Sequence, residues 1–184
     1  MTHALQMLKH EHRVIERALR ALDGVCVRLQ WGHNVPAGAL SQLADFISTF
    51  ADRHHHGKEE AYLFPVLQRH GFAQNGGPLG AIAREHQIES ELSTKMHRAI
   101  EGYREEDPLA RQRFVDAARK YVDHLLSHID KEDAILLRLA DEILDEEDIA
   151  LLGAGFKQAE MELGAGVNEK YDGIASALER EWAL

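Results

Sequence analysis

Cysteine is almost absent from this sequence, and its scarcity narrows both the chemistry and the compartment. Cys26 is the one thiol among 184 residues, so an internal disulfide and a metal site built only from thiolates are excluded. A lone thiol is typical of a reducing environment, and we expect a cytoplasmic protein. No uncharged apolar run approaches the roughly eighteen residues that a membrane-spanning helix needs, and the N-terminus lacks the apolar block of a signal peptide. We therefore expect neither a membrane partner nor export.

Basic residues are also few. The chain has 21 Lys and Arg against 31 Asp and Glu, which gives a formal net charge of −10. Affinity for nucleic acid depends on clustered basic side chains, so we expect no nucleic-acid partner. With 45% hydrophobic residues, the chain can still fill the core of one domain. Against this ordinary background, twelve histidines stand out beside six Phe and four Tyr.

Four long segments of the sequence repeat apolar residues every three or four positions, which is the spacing of a helix face. They cover residues 3–30, 37–70, 79–105 and 108–145, and short connections that contain Gly or Pro separate them. No segment alternates apolar and polar residues between hairpin turns, so we expect no sheet. The sequence thus predicts an all-α fold, an up-down-up-down four-helix bundle.

Beyond residue 148 the pattern changes, because pairs of glycines divide the chain into shorter helical pieces. We predict a bundle domain over residues 1–148 and a C-terminal helical extension over residues 149–184. The extension has two places to bury its apolar side chains, which are the bundle of its own chain and a second copy in a homodimer.

A nine-residue motif of the form H-x-x-K-E-[ED]-A-x-L occurs twice. It begins at His55 in the second predicted helix and at His128 in the fourth. In an up-down-up-down bundle these two helices face each other diagonally. Such symmetry is what a dinuclear metal site between four helices requires.

Histidine and glutamate side chains on these helices form a candidate metal site. Residues four apart share a helix face, so each copy of the motif can direct an imidazole and a carboxylate to one point inside the bundle. Imidazole with carboxylate suits iron, zinc or manganese, and two carboxylates can bridge two ions. Bound cations would also offset the repulsion between two buried carboxylates. With one inward histidine from each remaining helix, the candidate ligands are His12, His55, Glu59, His86, His128 and Glu132.

The helical register leaves an alternative on the second helix and another on the fourth. His56 and Glu60 are also four residues apart, but extending the apolar stripe at 100° per residue places His55 and Glu59 nearer the core. On the fourth helix Asp133 is the alternative to Glu132 as the carboxylate ligand. A single histidine on an apolar face is more often a hydrogen-bonded core residue, so the metal interpretation depends on the combination.

These residues resemble the hemerythrin-like, or His-His-Glu cation-binding, proteins over about residues 1–145. The resemblance implies a non-heme di-iron centre with an oxo or hydroxo bridge from solvent. In such a centre Glu59 and Glu132 would bridge the two irons, and the four candidate histidines would cap them. The matching pieces are Glu11-His12-Arg-Val-Ile, His55-His-Gly-Lys-Glu59-Glu-Ala-Tyr-Leu-Phe-Pro, Arg84-Glu-His86-Gln-Ile and His128-Ile-Asp-Lys-Glu132-Asp.

The sequence departs from the oxygen-carrying hemerythrins at two positions. Those proteins have a second histidine one turn after the ligand of the third helix, where this chain has Ser90. Their last helix uses a five-residue spacing to an aspartate that only Asp133 could imitate. The pattern H…HxxxE…H…HxxxE is more similar to the iron-cluster repair proteins and other bacterial hemerythrin-like proteins. Loss of one imidazole would open a coordination position, which favours reaction with a small ligand over reversible oxygen carriage.

Three functional hypotheses follow from the resemblance. The first is a di-iron protein that binds or reacts with O2, NO or peroxide, in sensing or in oxidative or nitrosative stress response. The second is iron storage, or iron donation for the repair of iron–sulfur clusters. The third is an enzyme with catalase-like or NO-reducing turnover, for which Tyr62, Tyr121 and His124 are the candidate proton donors. A purely structural metal site is the simplest rival, and the sequence alone does not choose among these.

Overall fold

A computed structural model describes residues 1–104 and 106–184. This described part contains six helices and no strand, which confirms the predicted all-α class. The predicted end of the third helix, at residue 105, lies outside the described residues. The helices are α1 (His3–Gln30), α2 (residues 37–69), α3 (Gly77–Glu101), α4 (residues 108–143), α5 (Glu146–Leu163) and α6 (Val167–Trp182).

Local sequence signals set the limits of the long helices. The Thr2 hydroxyl accepts a hydrogen bond from the backbone of the first turn and so caps α1. After the end of α1, Gly32 has a φ of 80°, a conformation that glycine adopts without strain. The carboxylate of Asp107 caps α4, and Pro108 follows at the first helical position, where no backbone N–H is needed.

Helices α2 and α4 contain π-helical stretches. In α2 the α-helix Ala37–Phe46 continues as π-helix over Ile47–His56 and Glu59–Leu63, and the α-helix Phe64–Arg69 completes it. In α4 the π-helical stretch Glu132–Leu136 separates the α-helices Pro108–Lys131 and Leu137–Ile143. The second stretch of α2 and the stretch of α4 occupy the same place in the repeated motif. The repeat therefore exists in the backbone as well as in the sequence.

A layer of buried histidines and glutamates divides the apolar core into two clusters. One cluster includes Ile15 and Phe50, and the other includes Leu8 and Leu63. On α1 the buried His12 lies between residues of the two clusters. Each of the other three bundle helices likewise passes from one cluster to the other through the polar layer. The bundle thus holds its polar layer at mid-height, shielded from water by apolar side chains above and below.

The C-terminal helices pack on the bundle of their own chain. Helix α6 lies along α1, where Arg17 pairs with Asp172 and Arg20 Nε lies 2.7 Å from an oxygen of Glu179. The backbones approach most closely at Gly24, which has no side chain to separate them. Within the described residues, no helix is both long enough and apolar enough to cross a membrane.

Replacing Gly24 with Ala should lower the melting temperature, because the added Cβ would lie 2.0 Å from the carbonyl oxygen of Trp182. Overpacking of this kind costs about 1–3 kcal/mol. For a chain of this size that corresponds to a fall of about 2–12 °C, measurable by circular dichroism during heating. Gly173→Ala on α6 is the control, since no atom lies within 4 Å of its added Cβ. Equal melting temperatures for both variants would contradict the docking of α6 on α1.

Candidate metal centre

Seven side chains from four helices meet in the polar layer and form three overlapping groups of metal-ligand type. In the first group, the ligand atoms of His12, His55, Glu59 and Glu132 all lie within 4.8 Å of one another. Glu59 and Glu132 also join His86 and His128 in a second group. The six residues predicted from the sequence are therefore brought together. A seventh, His56, groups with His86 and His128.

The two glutamates lie between the two groups of imidazoles. One oxygen of Glu59 is 3.8 Å from His55 Nε2, and its other oxygen is 3.4 Å from His86 Nε2. Glu132 Oε2 is 3.2 Å from His12 Nε2 and 3.3 Å from His128 Nε2. Two ligands on one ion, each about 2.0–2.2 Å from it, are themselves separated by about 3–3.5 Å. Three of these four separations fall in that range, so the spacing fits metal ligation with Glu59 and Glu132 between the two groups of imidazoles.

The inward-facing polar atoms of this layer have no hydrogen-bond partner. Both carboxylate oxygens of Glu59 and Glu132 are buried without one, and so are the Nε2 atoms of all five histidines. An unpaired buried polar group costs about 1–3 kcal/mol, and native proteins rarely leave several of them together. Metal ions would satisfy all of these atoms at once. The residues therefore fit a dinuclear metal site with nitrogen and oxygen ligands.

Carboxylates outside the layer hold the outer nitrogens of two imidazoles. The Nδ1 atom of His12 lies 2.8 Å from Asp133, and that of His86 lies 2.8 Å from Glu60. A proton donated from Nδ1 to a carboxylate leaves the inner Nε2 free to bind a metal and fixes the orientation of the ring. Asp133 and Glu60 occupy the same position in the repeated motif. They are therefore orienting residues, and the structure does not place them among the inward ligand atoms.

The other two imidazoles are held through a carboxylate that also meets a lysine. His55 Nδ1 is 2.9 Å from Glu11, which pairs with Lys58. On the opposite side, His128 Nδ1 is 3.1 Å from Glu85, which pairs with Lys131. Glu11 directly precedes His12 on α1, and Glu85 directly precedes His86 on α3. The sequence prediction assigned these glutamates no role, although the Glu-His dipeptide repeated on α1 and α3 was the available signal.

The repeated motif gives the layer two similar sides, but the C-terminal helices cover only one of them. Lys58 is 0% exposed, whereas the side chain of Lys131 is 45% exposed. The ammonium of Lys58 lies over the ring of Phe156 in α5, 5.2 Å from its centre. His54 Nε2 is 3.1 Å from Asn168 of α6 and 3.6 Å from a carboxylate oxygen of the Glu11–Lys58 pair. The extension thus helps to fix the partners of the first group.

Extending the apolar stripe at 100° per residue places His55 nearer the core than His56, but in the structure the side chains of both are buried, as is that of His54. All three histidines belong to the π-helical stretch Ile47–His56. A π-helix makes i→i+5 hydrogen bonds, so consecutive side chains are separated by less than the 100° of an α-helix. Three adjacent histidines can therefore all face the interior. The predicted preference for Glu59 over Glu60 agrees with the structure, where the side chain of Glu60 is 55% exposed.

The carboxylates of the layer attract positive charge. Burial opposes protonation of His12, but the nearby carboxylates of Asp133 and Glu132 outweigh burial and raise its pKa to about 10. Burial also opposes protonation of His128, and the charge of Glu132 raises its pKa to about 9. The imidazoles in turn hold the pKa of Glu132 well below its usual range, although burial alone would raise it. Metal ions would replace these protons as the counter-charge of the layer.

An open cleft of about 360 Å³ between α2 and α3 leads from solvent to the second group. His56 and His86 are at its inner end, and Asp52 lies on its wall. The Asp52 carboxyl accepts a hydrogen bond from Tyr121 at 3.0 Å, and burial raises its pKa to about 6. This cleft gives small molecules from solvent a route to the second group.

Comparison with known proteins agrees with this geometry. The family model of the hemerythrin HHE cation-binding domain matches residues 3–140, a span that contains all seven side chains. Curated proteins of Mycobacterium tuberculosis and Mycobacterium bovis, each described as an uncharacterized protein, are 24% identical to this chain over 153 residues. The match covers 83% of this chain and 59% of each relative, so the chain spans little more than half their length. No solved structure gives a significant match.

Proposed function

Since this chain belongs to the hemerythrin HHE cation-binding family, we propose that it holds two non-heme iron ions that bind or react with O2, NO or peroxide. The role we infer is sensing or response to oxidative or nitrosative stress in the cytoplasm. Iron bound in this layer would supply an electrophilic, redox-active centre. The chain's own residues hold it, orient the imidazoles and limit access of water.

The unequal ligand sets of the two positions carry this proposal. The first position has two imidazoles, His12 and His55, together with the shared Glu59 and Glu132. Two imidazoles with carboxylates and open positions are typical of iron sites that react with oxygen species. A fully closed ligand set would instead indicate a structural ion. A centre with vacant coordination in an apolar bundle is suited to a small external ligand.

Burial of the metal-binding side chains favours reaction with a small molecule over iron donation. His12, Glu59 and Glu132 are each 0% exposed, so an ion held by them leaves only after the bundle opens. Small molecules have an easier route through the cleft beside His56 and His86. Iron donation would need a mobile or exposed ligand, whereas in this layer every imidazole is buried and four have their outer nitrogen on a carboxylate.

The purified protein is expected to contain about two iron ions per chain and to change its visible spectrum with oxidation state. Metal content by mass spectrometry, with spectra before and after anaerobic reduction, measures both properties. Absorption that bleaches on reduction and returns with O2, NO or peroxide would support the proposal, and the rates with each oxidant would identify the preferred ligand. Zinc alone, or a colourless protein that reduction does not change, would overturn it and leave a structural metal bundle.

A further inference from the structure

Glu89 is a third buried carboxylate beside the metal centre, and neither the repeated motif nor the two groups of ligands account for it. It lies on α3, three residues after His86, and is 0% exposed. Its Oε1 atom accepts a hydrogen bond from His124 Nδ1 at 2.9 Å. Its Oε2 atom is buried and has no hydrogen-bond partner. The sequence prediction gave Glu89 no role.

An unpartnered carboxylate oxygen at this depth calls for a cation. Removing a charged group from water without a partner is far more costly than leaving it exposed, so buried carboxylates are normally paired or bound to metal. No Lys or Arg side chain of the described residues pairs with Glu89. Burial, with the nearby charges of Glu132 and Asp52, raises the pKa of Glu89 to about 8, although the neighbouring imidazoles lower it.

The free oxygen faces the ligands of the second position. Glu89 Oε2 is 3.5 Å from His56 Nε2, which also lacks a hydrogen-bond partner. This separation is the one expected of two ligands on a single ion. Residues three apart share a helix face, so Glu89 and His86 approach the position from the same helix. Glu89 is thus placed where α3 can supply a second ligand, one residue before Ser90.

We propose that Glu89 binds, through Oε2, the metal ion held by His56, His86 and His128. The inference rests on the proposed metal centre and deepens it. With three imidazoles and an added carboxylate, the second position is nearly closed, and the first keeps the vacancies.

A chelator-challenge experiment tests the assignment with the full chain loaded anaerobically with Fe²⁺. Glu89→Gln keeps the shape and the hydrogen-bond acceptor but removes the anionic ligand. We expect release of one of the two ions to become about 10–100-fold faster. A loss of metal affinity of this size is typical when a residue that supports a metal site is removed. Loading with Co²⁺ provides a second readout, since the visible absorption of Co²⁺ follows its ligand set. The control is Glu91→Gln on the same helix, because the side chain of Glu91 is 73% exposed.

The outcomes separate a ligand from a residue that only orients His56. Gln still accepts a hydrogen bond, so a purely orienting role predicts release kinetics and a Co²⁺ spectrum close to wild type, and that result would overturn the proposal. If Glu89→Gln does not fold, Glu89→Asp decides, because its shorter carboxylate should still accelerate release, and unchanged release would overturn the proposal. Failure of the proposed function would show differently, as wild-type protein without iron or without a redox response.

Discussion

Glu132→Ala is expected to empty both metal positions and to lower the melting temperature by about 6–20 °C. Its carboxylate lies within 3.3 Å of one imidazole from each group, so its loss affects both positions. Removing one partner of a buried charged set costs about 3–5 kcal/mol, and a chain of this size loses about 2–4 °C per kcal/mol. Metal that stabilises the folded state is lost in addition. Metal analysis and thermal unfolding of the same preparation measure both effects.

Asp133→Ala is the matched control for this variant, since it removes the neighbouring carboxylate in the same turn. Asp133 contacts the outer nitrogen of His12 and the guanidinium of Arg13, and none of the inward ligand atoms. Its loss should therefore weaken metal binding by about 10–100-fold while leaving about two ions per chain at saturation. The opposite ranking, with metal lost from Asp133→Ala and kept by Glu132→Ala, would show that the ligand on α4 has been assigned one residue too early.

The fold and most of the site could be predicted because their signals are local and repeated. Apolar spacing of three and four residues predicts the helices, and short connections make their antiparallel order the simplest one. The two copies of the motif predict a diagonal pair of ligands, and the structure places His55, Glu59, His128 and Glu132 in one layer. A repeat supplies independent evidence for the register, which a single His-x-x-x-Glu pair does not.

The parts that the sequence did not predict depend on contacts between helices or on backbone geometry. Glu11 and Glu85 orient imidazoles on other helices, and no periodicity within one helix shows such a contact. The coverage of Lys58 by Phe156 likewise depends on how the extension folds back over the bundle. The π-helical stretch of α2 has no clear signal in residue type, and it determines the placement of His56.

The two sides of the metal centre therefore differ, although the repeated motif gives them similar ligands. In the repeated motif Ile129 stands where α2 has His56, so the third imidazole exists on one side only. The C-terminal helices bury the lysine of the first side, and the cleft opens on the second. One side of the layer thus has a third imidazole and lies beside the cleft, while the other has two imidazoles and is covered by the C-terminal helices.

His56→Ala is expected to lower the metal content from about two ions per chain towards one. His56 groups only with His86 and His128, so the four ligands of the first position remain. The ion at the second position loses an imidazole, and water from the cleft replaces it. Titration of the metal-free protein with Fe²⁺ should show one unchanged site and one weakened by at least about 10-fold.

Two other histidine variants make this result specific. His33 lies in an exposed connection, so His33→Ala should bind metal like the wild type. His54→Ala removes a buried histidine two residues before His56. Its ring contacts Glu11 and Asn168 and not the ligand atoms, so both ions should remain. If His54→Ala lost an ion and His56→Ala kept two, the π-helical register of α2 would be wrong by two residues. If all three variants kept two ions, the second position would be complete without His56, and Glu89 would be the residue that compensates.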